Sequence, residues 1–291
     1  MVARRIYSRA AAGENGELSV FAFLSMSRLW VIAFCLAAPS SASAGAFMQP
    51  EGGGQIIAQV GFSKAGYGYD AFGRPVAIRA WRKVEVSAWG EYGLTDAVTL
   101  IGEPSWRSFR ADKLTDWNGF EVGRAHVARL GATQIGARVK LLEWENSILS
   151  AQATARFAPG GKEIALYSDM RRPMQADIRL LYGRRLEAFG LKGFASAEFG
   201  FRNDGAFGHQ FRMDLTYGLQ VWDRLTLMLQ NFTILTPRWF GGQFAVSQKA
   251  QASLVFAVTD AVSVQVGAMM GLRGANSAAE RGLVSAVWTR F

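Results

Sequence analysis

From Gln55 onward the chain repeats one pattern, short stretches in which every second residue is apolar. In the first, Ile56, Ala58, Val60 and Phe62 alternate with Gln55, Gln59 and Gly61. In the fifth, Leu149, Ala151, Ala153, Ala155 and Phe157 oppose Ser150, Gln152, Thr154 and Arg156. The stretches fall at 55–62, 83–94, 98–103, 134–141, 149–157, 176–185, 195–202, 211–220, 225–230, 250–258, 262–268 and 282–291. The last is apolar on both faces. Period-two alternation predicts strands with one apolar and one polar face. Each stretch approaches the roughly 9 to 11 residues that a tilted strand needs to cross a bilayer's hydrocarbon.

The connections alternate in length. Those at 95–97, 143–147, 186–191, 222–224 and 259–261 are tight, and those at 63–75, 105–132, 158–174, 203–209, 233–247 and 271–280 are longer. Short periplasmic turns and longer outer loops are what an up-and-down barrel requires. In lipid every backbone N–H and C=O must be paired within the protein, so the sheet has to close. The fold expected is therefore all-β: a single up-and-down antiparallel transmembrane β-barrel of about 12 strands, in the outer membrane of a Gram-negative bacterium and in contact with its lipid. A soluble β-sandwich also alternates, but its inner face would be apolar, whereas here the polar face carries full charges. Trp81, Trp89, Trp106, Trp144, Trp222 and Trp239 stand near strand ends, where an aromatic girdle is expected. The closing stretch runs into Phe291, which is expected to complete the barrel against the first strand and to carry the signal read by the barrel-assembly machinery.

Composition alters the N-terminal picture. The longest clean apolar run, Leu29 to Ala38, is ten residues, well short of the roughly 20 of a membrane helix. Arg28 precedes it and Ala42-Ser43-Ala44 follows, which describes a secretory signal peptide cleaved after Ala44. Residues 1–44 are thus expected to be leader and signal peptide, with translation starting at Met26, and 45–291 the barrel. A cut after Ala46 is the alternative. The single cysteine, Cys35, leaves with the leader, so disulfides and thiolate metal sites are excluded. Removing the leader's four arginines and two glutamates takes the formal charge from +9 to +7. These charges form no basic run, which argues against nucleic acid as a partner.

On the polar face the charges are uneven. Strands two and three supply Glu85, Glu91 and Glu103; strands four to six supply Arg138, Lys140, Arg156, Asp177, Arg179 and Arg185; strands seven and eight supply Glu198, Arg202, Arg212 and Asp214. Facing inward, they would line a pore, with an acidic wall opposite a basic one and a field between them that tunes selectivity for small solutes. Pairing among themselves, they would close the lumen instead. The segment 105–132, with Trp106, Phe109, Trp117 and Phe120, suits either an inward constriction or an outward binding surface. For catalysis the chain offers little. Its two histidines, His126 and His209, fall in expected outer loops, and Gly61-Phe-Ser63-Lys-Ala65 lacks the glycine that completes a nucleophile elbow. No catalytic residue, metal site or cofactor is expected, and no enzymatic activity.

The start Gly45-Ala-Phe-Met-Gln-Pro-Glu-Gly-Gly-Gly54, leading directly into the first strand, and the turns Tyr92-Gly-Leu-Thr-Asp96 and Phe256-Ala-Val-Thr-Asp260 carry a resemblance. The chain resembles poorly characterised proteobacterial outer-membrane β-barrels and is similar to the transporter-like barrels associated with phenol and hydrophobic-compound degradation. That resemblance implies a barrel, the outer membrane and transport. The function expected is a passive channel for small solutes through a charged lumen. The alternative is a structural or surface-binding barrel with a closed lumen and functional extracellular loops.

Overall fold

The computed structural model describes residues 45–111, 114–115, 121–122, 125–157, 174–188, 190–203, 209–238 and 244–291. The expected leader 1–44, its cleavage at Ala44, and Trp117, Phe120 and Trp239 lie outside them. Twelve strands form one closed antiparallel sheet. They are β1 Gly54–Tyr69, β2 Pro75–Thr95, β3 Val98–Glu103 resuming as Ser105–Ala111, and β4 Ala125–Leu130 resuming as Thr133–Trp144. β5 Ser147–Phe157, β6 Met174–Ala188, β7 Leu191–Asn203 and β8 Gln210–Trp222 follow. β9 Leu225–Thr236, β10 Ala245–Ala257, β11 Val262–Ala275 and β12 Arg281–Arg290 complete the circuit.

Each strand pairs with its chain neighbours, and β12 pairs with β1 from Gln55 opposite Arg290 to Lys64 opposite Arg281. Phe291 adds the last rung, its N–H donating to Gly54 O at 3.0 Å while the Gly54 N–H donates to Phe291 O at 2.8 Å. No strand edge is left for lipid. β3 is interrupted at Pro104, which has no N–H for the ladder, although its carbonyl still accepts from Ala88 N at 3.1 Å.

Outward positions are apolar and uncovered: Phe62 is 54% exposed, Ile178 60% and Val266 60%. A continuous apolar exterior of this kind belongs against acyl chains. Trp144, stacked on Tyr182 at 6.0 Å, and Trp222 stand at the short-turn end as a girdle requires. Trp81 and Trp89 correct that expectation, because both face inward. Trp89 lies opposite Ile57, and Trp81 lies opposite the buried Ala65 and stacks on Phe109 at 5.6 Å. Both share the parity of Glu85 and Glu91, and in a strand parity outranks nearness to the end.

The expected outer loops are mostly strand. β1 and β2 run 16 and 21 residues and meet in a turn at 70–74. Beyond the hydrocarbon the exterior is water, so Lys64 and Arg82 point outward and the alternation fades while backbone pairing continues. In the turn the Asp70 carboxylate accepts from the N–H groups of Arg74 and Phe72, each at 2.8 Å. These bonds, that from Arg74 first, hold its carboxyl below the ordinary aspartate range. Their support is present at neutral pH and is lost when acid protonates the group. β3 and β4 likewise continue as a ladder from Trp106 opposite Leu130 to Ala111 opposite Ala125.

A closed barrel should resist detergent. Unheated protein is therefore expected to run faster in gel electrophoresis than boiled protein. A single band at one position under both conditions contradicts the fold.

Candidate functional site

The chain does not lead straight from Gly45 into β1. Residues 45–53 climb into the barrel from the short-turn end and fill that half of the lumen. Ala46 is 0% exposed and Phe47 7%. They pack with Ile148, Leu181, Phe194, Met228, Val255, Ala286 and Trp288, inward residues of β5, β6, β7, β9, β10 and β12. Phe47 meets Phe194 edge-on at 6.4 Å, and the Arg185 guanidinium lies 5.6 Å from the Phe47 ring centroid. The apolar patch inside a wet barrel is thus a socket for this segment.

Two glycines make the socket possible. A Cβ at Gly93 would stand 2.0 Å from the Pro50 carbonyl oxygen, and one at Gly183 would stand 3.0 Å from the Ala46 Cβ. Any side chain at Gly93 would push the segment off its wall.

Polar contacts fix the segment's depth. Ser150 Oγ donates to Ala46 O at 3.0 Å, Gln49 N donates to Thr99 Oγ1 at 3.1 Å, and Glu51 N to Asp96 Oδ1 at 3.1 Å. At the centre is a buried ion pair. Arg138 Nη2 donates to Glu91 Oε1 at 2.9 Å, while its Nη1 donates to Phe47 O at 2.9 Å and its Nε to Gln152 at 3.2 Å. The other Glu91 oxygen accepts from Gln49 Nε2 at 2.7 Å and Gln55 Nε2 at 3.0 Å. Glu91 and Arg138 are 5% and 2% exposed, so each depends on the other and on these bonds to remain charged.

A second polar cluster occupies the other half. Arg179 Nε donates to Asp177 Oδ1, and its Nη1 donates to Glu198 and Asp214, all at 2.8 Å. Arg202 holds Asp177 Oδ2 at 2.8 Å, and Arg156 donates to Gln175 at 3.1 Å. Toward the outer mouth, Lys83 and Lys249 both pair with Glu280, and Lys83 and Arg107 with Glu85. Between these clusters and Gly45 lies an interior cavity of 320 Å³, with Glu103, Gln134, Thr216, Gln230 and Trp288 among its lining.

Every inward charge read from the sequence therefore has a place. Glu91 and Arg138 seat the N-terminal segment, and Arg185 and Lys140 stand at its rim, Lys140 paired with Glu143 at 2.8 Å. Glu103 borders the cavity, Glu85 belongs to the outer mouth, and Arg156, Asp177, Arg179, Glu198, Arg202, Arg212 and Asp214 form the second cluster. The two opposed walls do not survive: acids and bases from adjacent and next-but-one strands pair in local clusters rather than face each other across an open bore. Sequence reading passed over Lys83, Arg107, Lys249 and Glu280, and above all Ala46 and Phe47. Their one signal is an apolar Ala-Phe-Met placed before Gln-Pro-Glu and three glycines.

The histidines also move. His126 lies on a strand, exposed, with Ser108 Oγ 3.3 Å from its Nε2. His209 stacks on Phe201 at 5.2 Å.

No family model matches the chain, and no curated protein matches it. Among solved structures, the COG4313 outer membrane channel from Pseudomonas putida covers 87% of this chain with all of its own, at a TM-score of 0.60 and 14% identity. At that identity the likeness establishes the fold. The chain has the fold of an outer-membrane β-barrel. The translocator domain of the autotransporter NalP from Neisseria meningitidis is a weaker match, at a TM-score of 0.47 and 9% identity over 82% of this chain and 88% of its own.

One expectation is corrected. The matched barrels include OmpT of Vibrio cholerae, at a TM-score of 0.37 and 7% identity over 84% of this chain and all of its own. A match at that score carries no argument about chemistry, and Ser108 Oγ lies 3.3 Å from His126 Nε2, so the exclusion of enzymatic chemistry is withdrawn. No catalytic role is assigned.

Proposed function

We propose that the chain is an outer-membrane channel for small ionic solutes whose periplasmic mouth is stoppered by its own residues 45–51. One observation carries the reading: Ala46 and Phe47 are buried in an apolar socket inside a barrel whose interior otherwise carries clusters of paired charges. A barrel needing only a filled core can fill it with strand side chains, without a separate segment ahead of the first strand. The match to a barrel described as an outer membrane channel supports it. The charged lumen favours ionic solutes over the hydrophobic compounds that the sequence resemblance implies.

Magnitudes make the stopper releasable. Burying Phe47 contributes about 2 kcal/mol, and its segment's five hydrogen bonds contribute about 1–2 kcal/mol each. Ordering seven residues costs about 1–2 kcal/mol each. The two sides nearly cancel, so a modest push from the periplasm can shift the balance. Planar-bilayer recording tests this. Wild-type protein is expected to show a mostly closed state with brief openings, and absence of any conductance with the segment removed contradicts the channel.

A second reading is a closed structural barrel that acts through its outer surface, favoured by the local pairing of the luminal charges. In that case removal of the segment leaves the lumen impermeable. We further propose that signal cleavage after Ala44 makes Gly45 the first residue, and that the β12 strand ending at Phe291 is what the assembly machinery engages. Intact mass of protein extracted from outer membranes is expected to match residues 45–291. A mass retaining earlier residues contradicts the cleavage.

A further inference from the structure

We infer that Arg202 and Arg212 form an anion-binding subsite in the lumen, taking the carboxylate or phosphate group of a solute in transit. The inference rests on the channel reading and gives it a substrate class. Arg202 directs both Nε and Nη2 at one oxygen of Asp177, each at 2.8 Å. Asp177's other oxygen belongs to Arg179, which also draws in Glu198 and Asp214. All three carboxylates of the cluster are thereby turned toward Arg179.

Arg212 is left over. Among the described residues its only ion-pair contact is Nη1 at 3.9 Å from the Asp177 oxygen that Arg202 already occupies, beyond hydrogen-bond length. Its Nε is buried with no hydrogen-bond partner. A guanidinium carries five donors in a planar fork, and that fork matches two oxygens of a carboxylate or phosphate. Arg212 and Arg202 project into the lumen from adjacent strands, β8 and β7, near the register pair Arg202 and Gln210. An oxyanion between them would supply acceptors for Arg212 and counter-charge for two crowded cations. Inward cations also outnumber inward carboxylates on the described strands, so an entering anion meets a favourable potential. Lipid headgroups cannot reach this position, which leaves soluble anions as the source.

Two measurements separate this site from the channel reading. Calorimetric titration of inorganic phosphate and of citrate into the full-length mature barrel in detergent reads binding directly. Bilayer recording in a potassium chloride gradient reads selectivity, with and without residues 45–50. Wild type is expected to bind at least one probe, to pass chloride ahead of potassium, and to be blocked by the bound probe. Arg212→Gln should weaken binding by about tenfold or more, and Arg212→Lys should restore charge selectivity while binding stays weak. The heat-shifted gel band confirms that each variant is folded. A conducting barrel that binds neither probe, or an Arg212→Gln variant that binds as wild type does, overturns the site. Binding without conductance in any variant removes the channel and leaves the site standing.

Discussion

Deleting residues 45–50 is expected to turn a mostly closed barrel into a steadily conducting one. The deletion removes Ala46 and Phe47 from their socket and vacates the half of the lumen that the segment occupies. It leaves the twelve-strand sheet and its β12–β1 seam unchanged. The barrel should stay folded, because closure depends on the backbone ladder and the lipid-facing residues, neither of which the segment touches. Phe47→Ala is the graded version. Truncation forfeits the roughly 2 kcal/mol that burial contributes, so the ratio of stoppered to open barrel should fall by about thirtyfold. Bilayer recording reads both variants as the fraction of time spent open. An unchanged open fraction in Phe47→Ala would mean that the aromatic does not seal the mouth.

The second large effect concerns Arg138. Arg138→Ala strips Glu91 of its cation in a site where that carboxylate is 5% exposed. Breaking a buried pair from one side costs about 3–5 kcal/mol. It also removes the bond to the Phe47 carbonyl. The variant is therefore expected to unfold at lower urea concentration and to be open more of the time. Glu91→Gln with Arg138→Gln leaves no lone charge, so the double variant should recover most of the stability. It should remain more open than wild type, because neutral amides hold the segment less firmly than the ion pair does. Urea titration followed by tryptophan fluorescence measures the first effect and bilayer recording the second. If the double variant is no more stable than Arg138→Ala, the ion pair is not what burial of Glu91 requires.

The barrel was legible because lipid imposes its rule locally. Each of the eleven alternating stretches falls on one strand, and parity alone places all thirteen charges from Glu85 to Asp214 on inward positions. What parity lacks is register. Glu91 and Arg138 are 47 positions apart, and Asp177, Arg202 and Arg212 meet only through the β6–β7 and β7–β8 pairings. Hence the charges could be assigned to the lumen but not to partners, and two opposing walls were drawn where local clusters stand. The outer strand ends were read as loops because alternation reports the medium outside, and above the hydrocarbon both faces meet water. Trp81 and Trp89 were misassigned by position along the strand rather than by side. The N-terminal segment was hidden for a different reason. Three apolar residues have no period, and nothing near them in the sequence shows that Gly93 and Gly183 leave a groove for them.

A disulfide tests the stopper most directly. The barrel from residue 45 onward contains no cysteine, so only an introduced pair can form. The Ala46 Cβ lies 3.0 Å from where a Gly183 Cβ would stand, and a relaxation of about half an ångström brings the pair into the usual disulfide range. Ala46→Cys with Gly183→Cys should oxidise readily in outer membranes, hold the barrel shut in a bilayer, and open on adding dithiothreitol. Thiols that stay free under oxidant, or a conductance indifferent to reduction, would show that the segment does not sit in the lumen.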